Sequence, residues 1–341
     1  TQIKGDGEAH PKLSLNDEFA DYGTWDKADI AGLKPKTDAM LPYEYGRSAL
    51  QVGLQQQQKL GVNPFKFGML GSTDAHTSLA STREENYFGK MASAEPSPDR
   101  YKHYVIRAIG GDDSLSTYEY ETLASGLAGV WARENTREAL FEAMQKKETY
   151  ATTGTRIVVR FFGGWNYEDD DAFRPEAVAI GYDGGVPLGG DLPTAPGSNK
   201  APRFMVGAMK DPWSGNLDRI QIVKGWVDSS GQRQERIYDV AVSDGREIGA
   251  DGRCRTPLGN TVKGASYLNT IGAAELRAVW EDPDFDRTQP AVYYARVLEI
   301  PTPTWQAHDM AFFGTEMPQD IPRAHQERAY TSPIWYTPPE S

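Results

Sequence analysis

The sequence has little cysteine and no long apolar run, and each of these two absences excludes a class of protein; no signal peptide is present either. Cys254 is the single cysteine among 341 residues, so no disulfide bond can form within the chain. This fits a cytosolic protein, and equally a periplasmic one without disulfide bonds. Of these compartments we favour the periplasm or the exterior over the cytoplasm. No apolar run is long enough for a transmembrane helix, so no membrane span is predicted.

Positive charge is also scarce. Asp and Glu number 48 against 36 Lys and Arg, which gives a net charge of -12. Nucleic-acid binding needs a basic surface, so no nucleic-acid partner is expected, and an anionic membrane is a poor match as well. An acidic protein can still bind an anionic substrate where a metal ion reverses the local field.

The most informative stretch comprises residues 65–76, FKFGMLGSTDAH. Its first half is apolar and short, which predicts a buried parallel strand that ends at Gly71. Polar residues follow at once, where α/β enzymes place catalytic groups and metal ions. In extended geometry the side chains of Asp74 and His76 point to the same side, so both could bind one cation. Alternatively, Asp74 caps the following turn.

These residues also carry a resemblance to a known family. The segment GSTDAHTSLASTREENYFGK (71–90) resembles the last metal motif of the polymerase-and-histidinol-phosphatase (PHP) superfamily, and within it the bacterial family called domain of unknown function 3604. The likeness extends to VNPFKFGMLGSTDAH (62–76), REALFEAMQKKETYATTGTRI (137–157) and QERAYTSPIWY (326–336). The resemblance implies a distorted (βα)7 barrel with a two- or three-metal centre that hydrolyses phosphate esters. Some relatives cleave carbamate or carboxylic esters instead.

The sequence departs from this family pattern in its histidines. It has only five, and it lacks the N-terminal His-x-His motif and most of the middle ligands. Because the chain also starts at Thr1, we expect residues 1–148 to be the C-terminal part of the barrel, with loop insertions. An N-terminal remainder of the same protein would then supply the missing strands and ligands.

Three further residues are candidates for the site. Glu8 and His10 lie two apart in a Gly-rich turn, and the resemblance implies that Glu8 lies near the active centre, where it could bridge or orient the metal ions. The competing interpretation is a surface turn with a capping acid. Arg47 opens a helix predicted over residues 44–60, where it could bind a substrate anion or, as we favour, remain solvated.

Beyond Tyr150 the apolar period changes from helical to two, which predicts a β-rich, sandwich-like accessory domain over residues 149–341. The strand-like runs lie at 151–162, 176–182, 203–209, 218–226, 236–243, 275–280, 291–300 and 328–336. The long segment 301–327, which contains His308 and His325, is predicted to be a loop.

The predicted function is metal-dependent hydrolysis of a small-molecule phosphate ester. Asp74, His76, Glu8 and His10 are the expected metal ligands, the first three are also the expected catalytic residues, and Arg47 is the candidate substrate-binding residue. Zinc, manganese and iron all suit His and carboxylate ligands. One alternative is a carbamate or carboxylic ester hydrolase. Another is a non-catalytic carbohydrate- or protein-binding module, for which Trp165, Trp213 and Trp305 are the candidate contacts.

Overall fold

The structure, a computed structural model, describes residues 1–197, 200–259 and 262–339. In these residues the chain forms α-helices and mainly antiparallel strands. The helices are α1 (Gly46–Leu60), α2 (Arg137–Gln145), α3 (Ala177–Gly184) and α4 (Trp305–Phe313). The strands are β1 (Tyr104–Ile106), β2 (Thr117–Tyr118), β3 (Leu127–Val130), β4 (Thr149–Thr152), β5 (Val158–Gly164), β6 (Gly185–Pro187), β7 (Arg203–Met209), β8 (Leu217–Val227), β9 (Arg233–Val242), β10 (Val262–Lys263), β11 (Ser266–Tyr267), β12 (Glu275–Glu281), β13 (Ala291–Glu299), β14 (Thr302–Pro303), β15 (Ala324–His325), β16 (Arg328–Thr331) and β17 (Ile334–Tyr336).

The largest sheet is antiparallel, with the strand order β3-β4-β16-β13-β8-β9. On the same edge of β13, β16 pairs with residues 296–298 and β17 pairs with residues 291–293. The centre of this sheet is the long pair of β13 and β8, in register from Ala291 opposite Trp226 to Leu298 opposite Arg219. A smaller antiparallel sheet has the order β12-β7-β5-β6. The pairs β1-β2, β10-β11 and β14-β15 are separate two-stranded ribbons.

The main core lies between the two larger sheets. Val159 and Phe161 of the smaller sheet belong to the same buried cluster as Ile222 and Tyr293 of the larger one. Because side chains alternate along a strand, Phe162 faces the other side of the smaller sheet, where it packs near α3. The β-rich sandwich predicted for the second half of the chain is therefore present.

The outer face of the large sheet is covered by α1. Leu50 and Leu54 of this helix are fully buried in one cluster with Val223 and Val292. The residues of β8 are consequently buried on both faces. These contacts, and the pairing of β3 with β4, cross the predicted boundary at residue 148; the division into two domains itself stays a prediction.

The fold expected for residues 1–148 is wrong: the described residues contain no (βα)7 barrel. A parallel barrel needs a helix between consecutive parallel strands, whereas every strand pair described here is antiparallel. The stretch 65–70 is partly exposed and forms no strand. Side chains satisfy its backbone instead: Met69 donates its N–H to Ser332 Oγ (2.9 Å), and its carbonyl accepts from Thr149 Oγ1 (3.0 Å).

Other local predictions are corrected as well. The run 176–182 forms most of α3, because its small and apolar residues also suit a short helix that covers one face of the smaller sheet. The segment 301–327 contains α4, whose N-terminal turn is buried.

Candidate functional site

Asp74 and His76 lie side by side after the irregular segment. His76 Nε2 is 3.7 Å from Asp74 Oδ1, and the His76 side chain is 53% exposed. A turn brings them together, since Asp74 has a left-handed backbone (φ 54°), a conformation that Asp tolerates better than most residues. The imidazole nitrogen and carboxylate oxygen thus face each other near the surface.

Two lysines contact the other oxygen of Asp74. Lys4 Nζ donates to Asp74 Oδ2, and Lys90 Nζ donates to the same atom (2.9 Å) and to the Asp74 carbonyl (2.9 Å). Partial burial alone would raise the pKa of Asp74, but Lys4 and Lys90 lower it overall. Burial lowers the pKa of the Lys90 ammonium, and Asp74 offsets part of this effect. Asp74 is therefore held as a carboxylate beside two ammonium groups.

Glu8 lies in a buried ionic cluster. Its Oε1 accepts from Arg47 Nε (2.7 Å) and from the hydroxyl of Tyr294, and its Oε2 lies 3.5 Å from Arg296 Nη1. Both oxygens of Glu8 are buried and face guanidinium groups, so this environment suits an ion pair better than a metal ion, whereas both lysines near Asp74 contact its Oδ2 and its Oδ1 faces His76. The role of Glu8 as a ligand stays a prediction.

Arg47 is buried, so the interpretation of a solvated arginine at the start of a helix is wrong. Its Nη2 donates to Asp17 Oδ2 (2.8 Å), and its Nη1 donates to Ser14 Oγ (3.2 Å). Its role in binding a substrate anion is untested, and it would require these partners to move.

Both ring nitrogens of His10 already have partners. Nδ1 accepts from the backbone N–H of Lys12 (3.1 Å), which assigns the proton to Nε2, 3.0 Å from Asp26 Oδ2. The ring also packs against Tyr45. His10 therefore holds its turn in place, and its role as a metal ligand stays a prediction.

A second group of possible ligands is buried elsewhere. Glu84, His325 and Glu327 offer ligand atoms that all lie within 4.8 Å of one another. The backbone N–H groups of Ala124 (2.7 Å) and Trp305 (2.6 Å) donate to the two oxygens of Glu84. Glu84 thereby caps the first turn of α4 from a distant segment.

The other two members are His325, in β15, and Glu327, between β15 and β16. Glu327 Oε2 accepts from the hydroxyl groups of Tyr22 (3.1 Å) and Thr153, which leaves Oε1 facing His325. His325 Nε2 is 3.0 Å from this Oε1, within ion-pair distance, and neither ring nitrogen has a hydrogen-bond partner in the described residues. The ring stacks on Tyr22, with 5.3 Å between centroids.

Burial and the neighbouring charges shift the pKa values of Glu84 and His325. Burial raises the pKa of Glu84 to about 7, with His325 opposing and Glu327 adding to the effect. Burial lowers the pKa of His325, but the Glu327 carboxylate outweighs it, so the His325 pKa lies above its ordinary value. Glu84 and His325 therefore both hold a proton more strongly than usual.

His325 is also part of the wall of a cavity of about 600 Å³, together with Tyr22, Tyr120, Gln306 and Arg328. The imidazole is thus the member of the group that faces an open space.

Sequence reasoning missed this group, although a signal was present. His325 and Glu327 are two apart, the spacing that singled out Asp74 and His76. Glu84 lies far away along the chain, in a short 3₁₀ turn over Glu84–Asn86. Only the fold shows that it joins the other two.

The tryptophans named for a binding module differ in exposure. Trp165 and Trp305 are buried, whereas Trp213 is 74% exposed. Trp213 is therefore the member of this set that a ligand could reach directly.

The chain belongs to the family described as "Protein of unknown function (DUF3604)", whose model matches residues 1–338. No curated protein and no solved structure matches the chain. In the described residues, no helix has the length and apolar character needed to cross a membrane.

Proposed function

We propose that this protein is a metal-dependent hydrolase of phosphate esters in which Asp74 and His76 hold a metal ion. The observation that carries the proposal is the 3.7 Å separation of Asp74 Oδ1 and His76 Nε2 at an accessible position. With metal–ligand bonds of about 2.0–2.2 Å, two ligands of one ion lie roughly this far apart. The resemblance of segment 71–90 to the last metal motif of the PHP superfamily also supports this proposal.

The donor set suits zinc, manganese or iron, because it combines an imidazole with a carboxylate. A bound divalent ion would supply Lewis acidity and a water molecule of lowered pKa. Asp74 and His76 would account for part of a coordination shell, and Lys4 and Lys90 hold Asp74 in its ionised form.

The lysines favour a phosphate ester over the other substrates. Lys4 and Lys90 place two ammonium groups beside the metal-ligand pair, where they can bind the anionic oxygens of a phosphoryl group. A neutral carbamate or carboxylic ester has no anionic oxygen for the two ammonium groups to bind, so these substrates rank second.

The experiment is a hydrolysis assay on the metal-free full chain with zinc, manganese or iron added back. We expect cleavage of an aryl phosphate to exceed that of an aryl acetate or carbamate and to depend on the added metal. Asp74→Asn and His76→Asn should each remove the activity. Asp38→Asn is the matched control, because Asp38 is an exposed aspartate paired with Lys12.

Equal activity of Asp74→Asn and the Asp38→Asn control would overturn the assignment of the site. Metal-dependent cleavage of the carboxylic ester alone would replace the substrate class and keep the site. If neither ester is cleaved, a glycan-binding assay with Trp213→Ala addresses the binding-module alternative, because this side chain is exposed.

A further inference from the structure

We propose that Glu84, His325 and Glu327 form a second metal site, which binds a divalent transition-metal ion independently of Asp74 and His76. The site lies behind the cavity wall formed by Tyr22 and His325. It does not depend on the proposed hydrolase activity, because it uses different residues.

The geometry supplies three ligands of suitable type. Two carboxylate oxygens and one imidazole nitrogen lie within 4.8 Å of one another. Metal–ligand bonds of about 2.0–2.2 Å require separations of up to about 4.3 Å, so a small side-chain adjustment closes the group around one ion. Three protein ligands leave a position open for water or a small anion.

The imidazole provides the independent observation. The side chain of His325 is only 9% exposed, and both of its ring nitrogens lack a hydrogen-bond partner in the described residues. Nε2 has the Glu327 carboxylate as an ion-pair neighbour at 3.0 Å but makes no hydrogen bond, whereas buried polar groups nearly always make one. A metal ion bonded to the ring nitrogen that faces Glu327 would supply the missing partner.

The carboxylates are already oriented by other groups. Tyr22 and Thr153 hold Oε2 of Glu327, and the N–H groups of Ala124 and Trp305 hold Glu84. Such contacts fix the direction of metal ligands and strengthen binding. They also engage both oxygens of Glu84, so the metal ion must use a remaining lone pair of one of them.

The charge of the group favours a divalent cation. Two carboxylates are buried within reach of each other, and their mutual repulsion must be relieved by protons or by a cation. The imidazole makes Ca²⁺ and Mg²⁺ poor occupants, since both prefer oxygen ligands. Zinc, cobalt and manganese accept both ligand types.

The test is binding of Co²⁺ and Zn²⁺ to the metal-free full chain, measured by Co²⁺ absorption, equilibrium dialysis and calorimetry. In His76→Asn, where the first site is lost, we expect one ion per chain to remain bound. Adding His325→Gln to His76→Asn should weaken this binding by at least about tenfold, since even second-shell changes cost 10–100-fold. The matched control is His308→Gln in the same background, because His308 lies on α4 outside both groups.

Binding should also release protons, because the acids and the imidazole must be deprotonated to bind a metal ion. Calorimetry in two buffers of different ionisation enthalpy measures this release. If His325→Gln binds Co²⁺ as tightly as the His308→Gln control, or if His76→Asn binds no Co²⁺, the second site is wrong.

Should His325→Gln fail to fold, anomalous diffraction from Zn²⁺-soaked crystals of the unaltered chain decides. A peak among Glu84, His325 and Glu327 supports the site, and its absence overturns it. Loss of hydrolysis in Asp74→Asn with unchanged Co²⁺ binding at His325 would show that the two sites are separate. If neither the unaltered protein nor any variant hydrolyses an ester, the proposed function is refuted, and the second metal site is not affected.

Discussion

Arg296 on β13 binds Asp17 in the N-terminal loop region through two parallel hydrogen bonds, from Nη1 to Oδ2 (2.9 Å) and from Nη2 to Oδ1 (2.6 Å). Both side chains are fully buried. Burial would raise the pKa of Asp17, but Arg296 and Arg47 hold it well below its ordinary value. This pair attaches the loop that precedes α1 to the centre of the large sheet.

Replacement of Asp17 by alanine should therefore be strongly destabilising. The change removes a carboxylate that bonds both Arg296 and Arg47 and leaves them only Glu8 in common, and breaking a buried ion pair costs about 3–5 kcal/mol. Urea unfolding measures the loss in the free energy of unfolding. Asp38→Ala is the control, because its pair with Lys12 is exposed, and its effect should be small. Equal effects of the two changes would show that the Asp17 pair does not hold the loop.

The contact of α1 with the large sheet gives a second prediction. Leu54 is fully buried there, whereas Leu60 in the same helix is 66% exposed. Leu54→Ala should cost about 2–5 kcal/mol, and Leu60→Ala should stay within about 0.5 kcal/mol. Thermal unfolding should remain a single transition, shifted to lower temperature in Leu54→Ala. A transition of the β-rich half that is unaffected by Leu54→Ala would mean that α1 does not stabilise the sheet.

Gly154 is required by the backbone. It has φ 131°, and a Cβ atom there would lie 2.2 Å from the carbonyl oxygen of Thr82. Gly154→Ala should destabilise the protein by more than about 1 kcal/mol, since both the conformation and the contact are unfavourable. Gly110→Ala is the matched control, because its Cβ would meet no atom within 4 Å. Chemical denaturation of the two variants distinguishes a steric effect from a general effect of alanine, which would lower both midpoints equally.

The raised pKa of Glu84 predicts a pH dependence. In the folded protein it is about 7, above the ordinary value of 4.5, so between these values the folded state binds more protons than the unfolded state. The contribution of Glu84 to the free energy of unfolding is thus fully present at a pH below the ordinary pKa of 4.5. It is lost as the pH rises to the folded-state pKa of about 7. The resulting loss in the free energy of unfolding is on the order of 3 kcal/mol. The raised pKa of His325 acts in the same direction, at higher pH.

The measurement compares the unaltered protein with Glu84→Gln, by urea unfolding from about pH 5 to about pH 8 in the presence of a chelator. The stability of the unaltered protein relative to Glu84→Gln should fall as the pH rises. Glu138→Gln, on the exposed side of α2, should show no such trend relative to the unaltered protein. A constant difference for Glu84→Gln would mean that this carboxyl group has an ordinary pKa.

Much of the second half of the chain could be predicted from its sequence. The runs that became β7, β8, β12 and β13 have the apolar pattern of strands, and Gly, Pro, Asn and Asp separate them. The helix α1 was also predicted, because Gly61 ends it in the left-handed conformation that glycine adopts at low cost. These features depend on interactions between neighbouring residues, which local sequence contains.

The sequence alone determined the acidic charge, the lack of any disulfide within the chain, and the positions of the main strands and of α1. Only the tertiary structure decided that the backbone of Met69 pairs with the side chains of Ser332 and Thr149 and not with a strand, and that Glu84 meets His325 and Glu327. Backbone pairing and the burial of charge depend on groups distant along the chain, and a local pattern cannot specify which distant group will be near. Asp74 and His76 are near neighbours in the chain, whereas the second group required the whole fold to assemble.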